Sequence, residues 1–127
     1  NSSYMYAKYM QGLDIDNRLK VGDITLVQDI QEIKLGSLAN TYYSFASKYC
    51  SYHRPYDYPM YDINIEYVLK YFRDKDNFAE FSTADLKNYV KYKGILIDFR
   101  KYYKLEEYDF KKICRYLWHL GNDFFND

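Results

Sequence analysis

The sequence predicts an all-α fold, arranged as a single compact domain of five or six helices. Over most of the chain, apolar residues recur at spacings of three and four, which is the period of an α-helix. No stretch shows the sustained alternation of apolar and polar residues that a half-buried strand would give. The 127 residues, 48% hydrophobic and 28% charged, suit one globular domain with its own core. We therefore assign 1–127 to one domain.

Capping residues and helix breakers divide the chain into its elements. Asp23, Ser37, Asp62 and either Ser82 or Thr83 stand where helices would begin, and their side chains suit the N-cap position. The pair Arg54-Pro55 ends the third helix, because a residue before proline disfavours helical geometry. We expect helices over 3–11, 24–33, 38–53, 62–72, 83–105 and 107–124, a polar turn-like segment over 14–22 and a charged connection over 73–81.

The apolar stripes of these helices indicate the core. The third helix has the clearest one, with residues spaced for a single helical face. Gly94 is a weak point in the middle of the long helix, and Gly121 is expected to loosen the end of the last one. The predicted core is Leu38, Phe45, Tyr49, Cys50, Val68, Leu69, Phe72, Val90, Leu96, Phe99, Ile113, Leu117 and Trp118.

The composition narrows the classes of function. A formal net charge of zero argues against a dedicated non-specific nucleic-acid binder, which normally carries a large positive excess, although it allows a local basic patch. The 18 tyrosines have two explanations. They reflect a low-GC coding bias, or they form a surface on which bases stack.

Several features bear on location and cofactors. Cys50 and Cys114 lie far apart and outside any CxxC spacing, which favours two buried, reduced thiols in a cytoplasmic protein. No apolar run is long enough to span a membrane, and the given residues show no signal-peptide pattern. Because the chain starts at Asn1, we expect the gene product to begin further upstream. We expect no cofactor and no metal site.

A basic, tyrosine-rich segment is one candidate nucleic-acid interface. Between residues 87 and 104 there are six basic residues and one acidic residue, Asp98, with tyrosines interleaved. Such a helix can hold a phosphate backbone and stack on bases. The alternative is a solvated lysine face over a tyrosine-rich core. The candidate nucleic-acid-binding residues are Lys87, Lys91, Lys93, Arg100, Lys101 and Lys104.

A second candidate site follows the third helix. Lys48 lies on its polar face, and Asp62 comes just after a connection that contains Pro55 and Pro59. Over residues 38–72 this arrangement resembles the helix-hairpin-helix DNA glycosylases, although the glycine-rich hairpin of that family is replaced by SFASK.

The resemblance implies two catalytic roles. Lys48 would be the amine that attacks the anomeric carbon of the sugar, and Asp62 the carboxylate that assists it. That chemistry needs a partly neutral lysine and a pocket for a flipped base. The alternative is structural: Asp62 is an N-cap and Lys48 a surface lysine.

Three hypotheses for function follow. The first is a nucleic-acid-associated domain, distantly similar to DNA glycosylases, in which the segment 87–104 and Lys48 line one concave surface and DNA is the partner. The alternative is a non-catalytic protein-interaction domain of a bacterial or phage system, which predicts an exposed aromatic patch. The third is a different enzyme that uses a buried His53, His119, Cys50 or Cys114.

Overall fold

The computed structural model describes residue 8 and residues 11–32 and 39–125, and its regular structure in these ranges is entirely helical. The predicted all-α single domain is confirmed. In the described ranges it has seven helices, where five or six were expected. They are α1 (Ile15–Lys20), α2 (Thr25–Gln31), α3 (Ala39–His53), α4 (Ile63–Asp76), α5 (Thr83–Leu86), α6 (Tyr89–Tyr102) and α7 (Phe110–Phe124).

Polar side chains cap the starts of the last four helices. Each accepts a hydrogen bond from a backbone N–H in the first turn, which would otherwise lack a partner. For α5 the cap is reciprocal, because Ser82 and Asp85 each bind the other's backbone N–H. The predicted caps at Asp62 and Ser82 are confirmed. The four caps are Asp62, Ser82, Asn88 and Asp109.

The helix boundaries differ from the prediction in several places. The helix expected over 83–105 is broken at Asn88, whose extended backbone (φ −103°, ψ 113°) and capping side chain start α6 afresh. The segment 14–22 contains α1, whose Arg18 forms ion pairs of 2.8 Å with Asp23 and 2.6 Å with Asp29. Helix α4 continues to Asp76, so the predicted connection over 73–81 is shorter.

Other sequence predictions fall partly outside the described ranges. The expected helix over 3–11 lies outside them except for residues 8 and 11, and the expected cap at Ser37 lies outside entirely. Helix α7 begins at Phe110, three residues later than expected. Helix α6 runs through Gly94 without a break, and α7 runs through Gly121.

One hydrophobic core joins the helices. Its main helix pairs are α2 with α3 and α4 with α7, and α6 packs against both α2 and the connection that follows α3. Most of the predicted core residues are buried or partly buried. Phe45 and Val90 are not, with 43% and 50% of their surface exposed, because each projects from its helix beside the buried stripe. Leu38 lies outside the described ranges.

The connection between α3 and α4, residues 54–61, is here called the elbow. Its carbonyl groups accept hydrogen bonds from one face of α6: Tyr89 Oη binds Pro59 O at 2.6 Å, and Tyr92 Oη binds Met60 O at 2.5 Å. Tyr58, also fully buried, donates to Asp23 O at 2.8 Å. A buried carbonyl needs a donor, and a tyrosine supplies one at the end of an apolar ring. Several of the tyrosines therefore hold the elbow instead of forming a stacking surface.

Candidate functional site

The structure brings together the two residues singled out by the resemblance. Helix α3 carries Lys48, and the cap of α4 is Asp62. Lys48 Nζ lies 2.8 Å from Asp62 Oδ2. The lysine side chain is 45% exposed and that of the aspartate 13% exposed. The elbow turns the chain back so that these residues, far apart along the sequence, become neighbours.

Asp62 has two partners, one for each carboxylate oxygen. Its Oδ1 accepts from the backbone N–H of Asn64 at 2.9 Å, and its Oδ2 accepts from Lys48. The capping and pairing roles are therefore compatible in one residue. As an ammonium, Lys48 has no lone pair, so it can act as a nucleophile only after a proton has left it.

Lys48 lines an open cleft of about 470 Å³ between α3, the elbow and α7. Two further cations, Lys111 and Arg115, lie on the α7 wall. They are exposed, and neither has an ion pair in the part of the chain that the structure describes. The cleft therefore carries positive charge in excess of the single carboxylate beside Lys48. Its lining is Lys48, Ser51, Tyr52, Pro55, Met60, Lys111, Cys114, Arg115 and Trp118.

The α7 wall has a regular spacing. Cys114 and Arg115 follow Lys111 by three and four residues, and Trp118 follows them by four and three, so all four lie along one face of the helix. Two like charges four residues apart repel each other by a few tenths of a kcal/mol, which an anion between them would relieve. The cluster is not among the residues predicted from sequence, because the apolar stripe is the stronger pattern in the same helix. The signal was the spacing of Lys111 and Arg115 before Trp118.

The six basic residues predicted to bind nucleic acid do not line this cleft. The expected surface shared with Lys48 is therefore not found at this cleft, because the six side chains bind elsewhere or are exposed away from it. Lys93 Nζ binds the elbow at Asp57 O (2.7 Å), and Arg100 lies over the ring of Phe110. Lys101 and Lys104 are exposed. Lys87 and Lys91 form ion pairs with carboxylates. A nucleic-acid role for the six stays a prediction.

The histidines and cysteines do not form the site that the third hypothesis needs. His53 and His119 are exposed, so the expectation that His53 is buried is wrong. Cys50 and Cys114 are buried, as predicted, and burial raises the pKa of each thiol to about 12. Such thiols stay protonated at neutral pH and are poor nucleophiles. Within the described ranges there is no cluster of three metal-ligating side chains.

A buried carboxylate lies at the start of α4. The side chain of Glu66 is 5% exposed, and its Oε1 lies 2.7 Å from Tyr61 Oη and 3.0 Å from Lys87 Nζ. Its Oε2 lies 3.4 Å from Lys70 Nζ. Burial alone would raise the pKa of Glu66, but the hydrogen bonds from Tyr61 and Lys87 outweigh it and hold the pKa below its usual value. Glu66 therefore stays ionised and joins α4 to the elbow and α5.

None of the helices in the described ranges combines the length and apolar character that a membrane crossing requires. A cytoplasmic location stays a prediction.

Comparison with known proteins gives a partial family match. A family model described as HI_0787_N, N-terminal domain, matches residues 1–57, which include Lys48 and end within the elbow. A protein of Haemophilus influenzae, described as an uncharacterized protein, is 47% identical over 120 residues. The alignment covers 94% of this chain and 57% of that relative, so the chain spans little more than half of the relative's length. No solved structure matches the chain significantly.

Proposed function

We propose that the basic cleft between α3 and α7 binds single-stranded nucleic acid. One observation carries the proposal: Lys111, Arg115 and Trp118 share one face of α7, and that face forms a wall of the cleft. Cations that lack a counter-charge suit phosphate groups, and an aromatic ring offers a stacking surface that accepts any base. The cleft thus combines the two elements of sequence-independent strand binding.

The geometry favours a single strand over a duplex. Trp118 and Tyr52 stand on opposite helices that border the cleft, α7 and α3, and Tyr52 is largely exposed. Stacking on such rings requires unpaired bases, whereas the bases of a duplex are covered by their neighbours. The zero net charge of the chain argues for a small number of phosphate contacts and therefore for modest affinity.

Fluorescence anisotropy with a labelled oligothymidylate tests the proposal. We expect binding at low salt that weakens as the salt concentration rises, because bound phosphates release counterions. The double variant Lys111→Gln/Arg115→Gln should lower affinity about tenfold or more. It should also make the slope of log K against log salt shallower by about 1.4, at about 0.7 per phosphate contact.

A matched double variant on α6 and its C-terminal end locates the interface. Lys101→Gln/Lys104→Asn removes two exposed cations outside the cleft, and asparagine tolerates the left-handed backbone of residue 104 (φ 57°). We expect this variant to bind like the wild type. If it loses binding while the cleft variant keeps it, the interface is the basic segment 87–104. If the wild type does not bind at low salt, the proposal fails.

A second candidate function is cleavage of a glycosidic bond by Lys48 and Asp62, in line with the resemblance to DNA glycosylases. The 2.8 Å contact between these residues beside the cleft favours it. Asp62 would take a proton from the Lys48 ammonium, and the freed lone pair would bond to C1′ of the sugar. The bond between C1′ and the base would break, its electron pair leaving with the base, which takes the proton from Asp62.

Borohydride trapping tests this second candidate. On an oligonucleotide with one abasic site, Lys48 Nζ would add to the C1′ aldehyde and lose water, and borohydride would reduce the imine to a stable amine. We expect a covalent product from the wild type and none from Lys48→Gln. Asp62→Asn should react more slowly while it keeps the helix cap, since asparagine also caps. Absence of a wild-type product would refute the catalytic role and leave strand binding untouched.

A further inference from the structure

A second concave surface lies apart from the basic cleft, between α4, α6, α7 and the loop before α7. It is an open groove of about 570 Å³, within the usual size range of small-molecule sites. Its walls are apolar and largely aromatic, and none of its lining residues belongs to the basic cleft. The lining residues used below are Phe72, Phe99, Tyr103, Lys112 and Tyr116.

Interlocking aromatic rings form one side of this groove. The ring centroids of Phe72, Phe99 and Tyr103 lie 4.7–5.6 Å apart in all three pairings. Tyr103 Oη donates to Asp76 Oδ2 at 2.6 Å, which ties the ring to the end of α4. Because these side chains already contact one another, this part of the groove needs no rearrangement to receive a ligand.

Lys112 supplies the single charge of the groove. Its backbone N–H binds the Asp109 cap at 2.9 Å, which places the residue in the first turn of α7. Its side chain lines the groove and has no ion pair within the described ranges. The adjacent Lys111 faces the other way, into the basic cleft. One turn of α7 therefore presents a cation to each concavity.

We propose that this groove binds a small amphipathic anion, with its apolar or aromatic body on the Phe72, Tyr103 and Tyr116 rings and its carboxylate or sulfonate at Lys112. Charge complementarity identifies the class of ligand: the groove offers apolar area and one cation. A polyanion would find too few charges there, and a neutral apolar molecule would leave Lys112 unused.

Two fluorescent probes with the same ring system test the proposal. Anilinonaphthalene sulfonate carries the anionic group, and N-phenyl-1-naphthylamine lacks it. We expect Lys112→Gln to weaken binding of the sulfonate about fivefold and to leave the neutral probe unchanged. Tyr116→Ala removes an exposed wall of the groove and should weaken both probes. Near-ultraviolet circular dichroism checks that each variant keeps its tertiary packing.

Lys111→Gln is the matched control, because it removes the neighbouring charge from the other side of the helix. We expect it to leave both probes unchanged and to weaken oligothymidylate binding, whereas Lys112→Gln should weaken only the sulfonate and leave oligothymidylate binding unchanged. If Lys111→Gln weakens the sulfonate, the anion lies in the basic cleft and the groove proposal is wrong. Analytical ultracentrifugation measures self-association at the same protein concentrations. If probe binding falls as the protein self-associates, a second copy of the chain occupies the groove, and the proposal of a small-molecule ligand is wrong.

Discussion

Replacing Gly121 by alanine should destabilise the protein by about 2–3 kcal/mol and lower its melting temperature by roughly 10 °C. Gly121 is buried where α7 crosses α4, and an added Cβ would lie 2.2 Å from Asn64 O and 2.7 Å from Asn64 C. These are backbone atoms in the first turn of α4, so a side-chain rotation cannot relieve the clash. The two helices must move apart, and buried contacts are lost. Thermal unfolding monitored by circular dichroism at 222 nm measures the effect.

Gly94→Ala is the matched control for this variant. Both glycines lie inside helices, but a Cβ at Gly94 would have no atom within 4 Å. There the substitution only improves helix propensity, so we expect a gain of about 0.5–1 kcal/mol. Equal changes in stability for the two variants would contradict the close approach of α7 to Asn64.

Glu66→Gln should cost about 2 kcal/mol of unfolding free energy at neutral pH, since it removes the charge from buried hydrogen bonds. The neutral amide also offers Tyr61 and Lys87 a weaker acceptor than the buried carboxylate does. Urea denaturation at pH 7 measures the loss. Lys91→Gln is the control, because its pair with Asp85 is exposed, and its removal should change stability by less than about 0.5 kcal/mol.

A double-mutant cycle measures the coupling free energy between Glu66 and Lys87. Lys87 is 47% exposed, so it can reach water when its partner is gone. Glu66→Gln and Lys87→Gln together should therefore cost less than the sum of the two single changes. Strict additivity would show that the pair contributes no coupling energy.

The same carboxylate gives the stability a dependence on pH. The pKa of Glu66 is lower in the folded protein than its ordinary value of about 4.3. Its contribution is therefore fully present above that value and is lost as the pH falls toward the native pKa. The stability difference between the wild type and Glu66→Gln should shrink as the pH drops below about 4.3. A difference that stays constant down to pH 3 would contradict this assignment.

Helix α7 lines both the basic cleft and the apolar groove, with a different face toward each. Lys111 and Lys112 are neighbours in sequence, yet they line separate concavities. Because both residues lie in the first turn of α7, variants of the two can be compared directly. Opposite effects on oligothymidylate and on the sulfonate probe would support both proposals, and each can fail without the other.

Local sequence patterns predict part of the candidate site. Lys48 and Asp62 were identified from the proline-containing connection between two helices, and the cap at Asp62 follows from its own side chain. The α7 cations of the cleft were missed, although their spacing along the helix was visible. Periodicity shows which residues share a helix face, but it does not show what that face meets.

Sequence alone determined the all-α class, most of the helices, the Asp62 and Ser82 caps and much of the core, because these depend on short-range hydrogen bonding and helical periodicity. Tertiary structure alone decided that Lys48 faces Asp62 and α7 instead of the basic segment 87–104. It also decided that tyrosines of α6 hold the elbow and that Gly121 lies against α4. These features depend on contacts between residues far apart in the chain, which a single sequence does not encode in any local pattern.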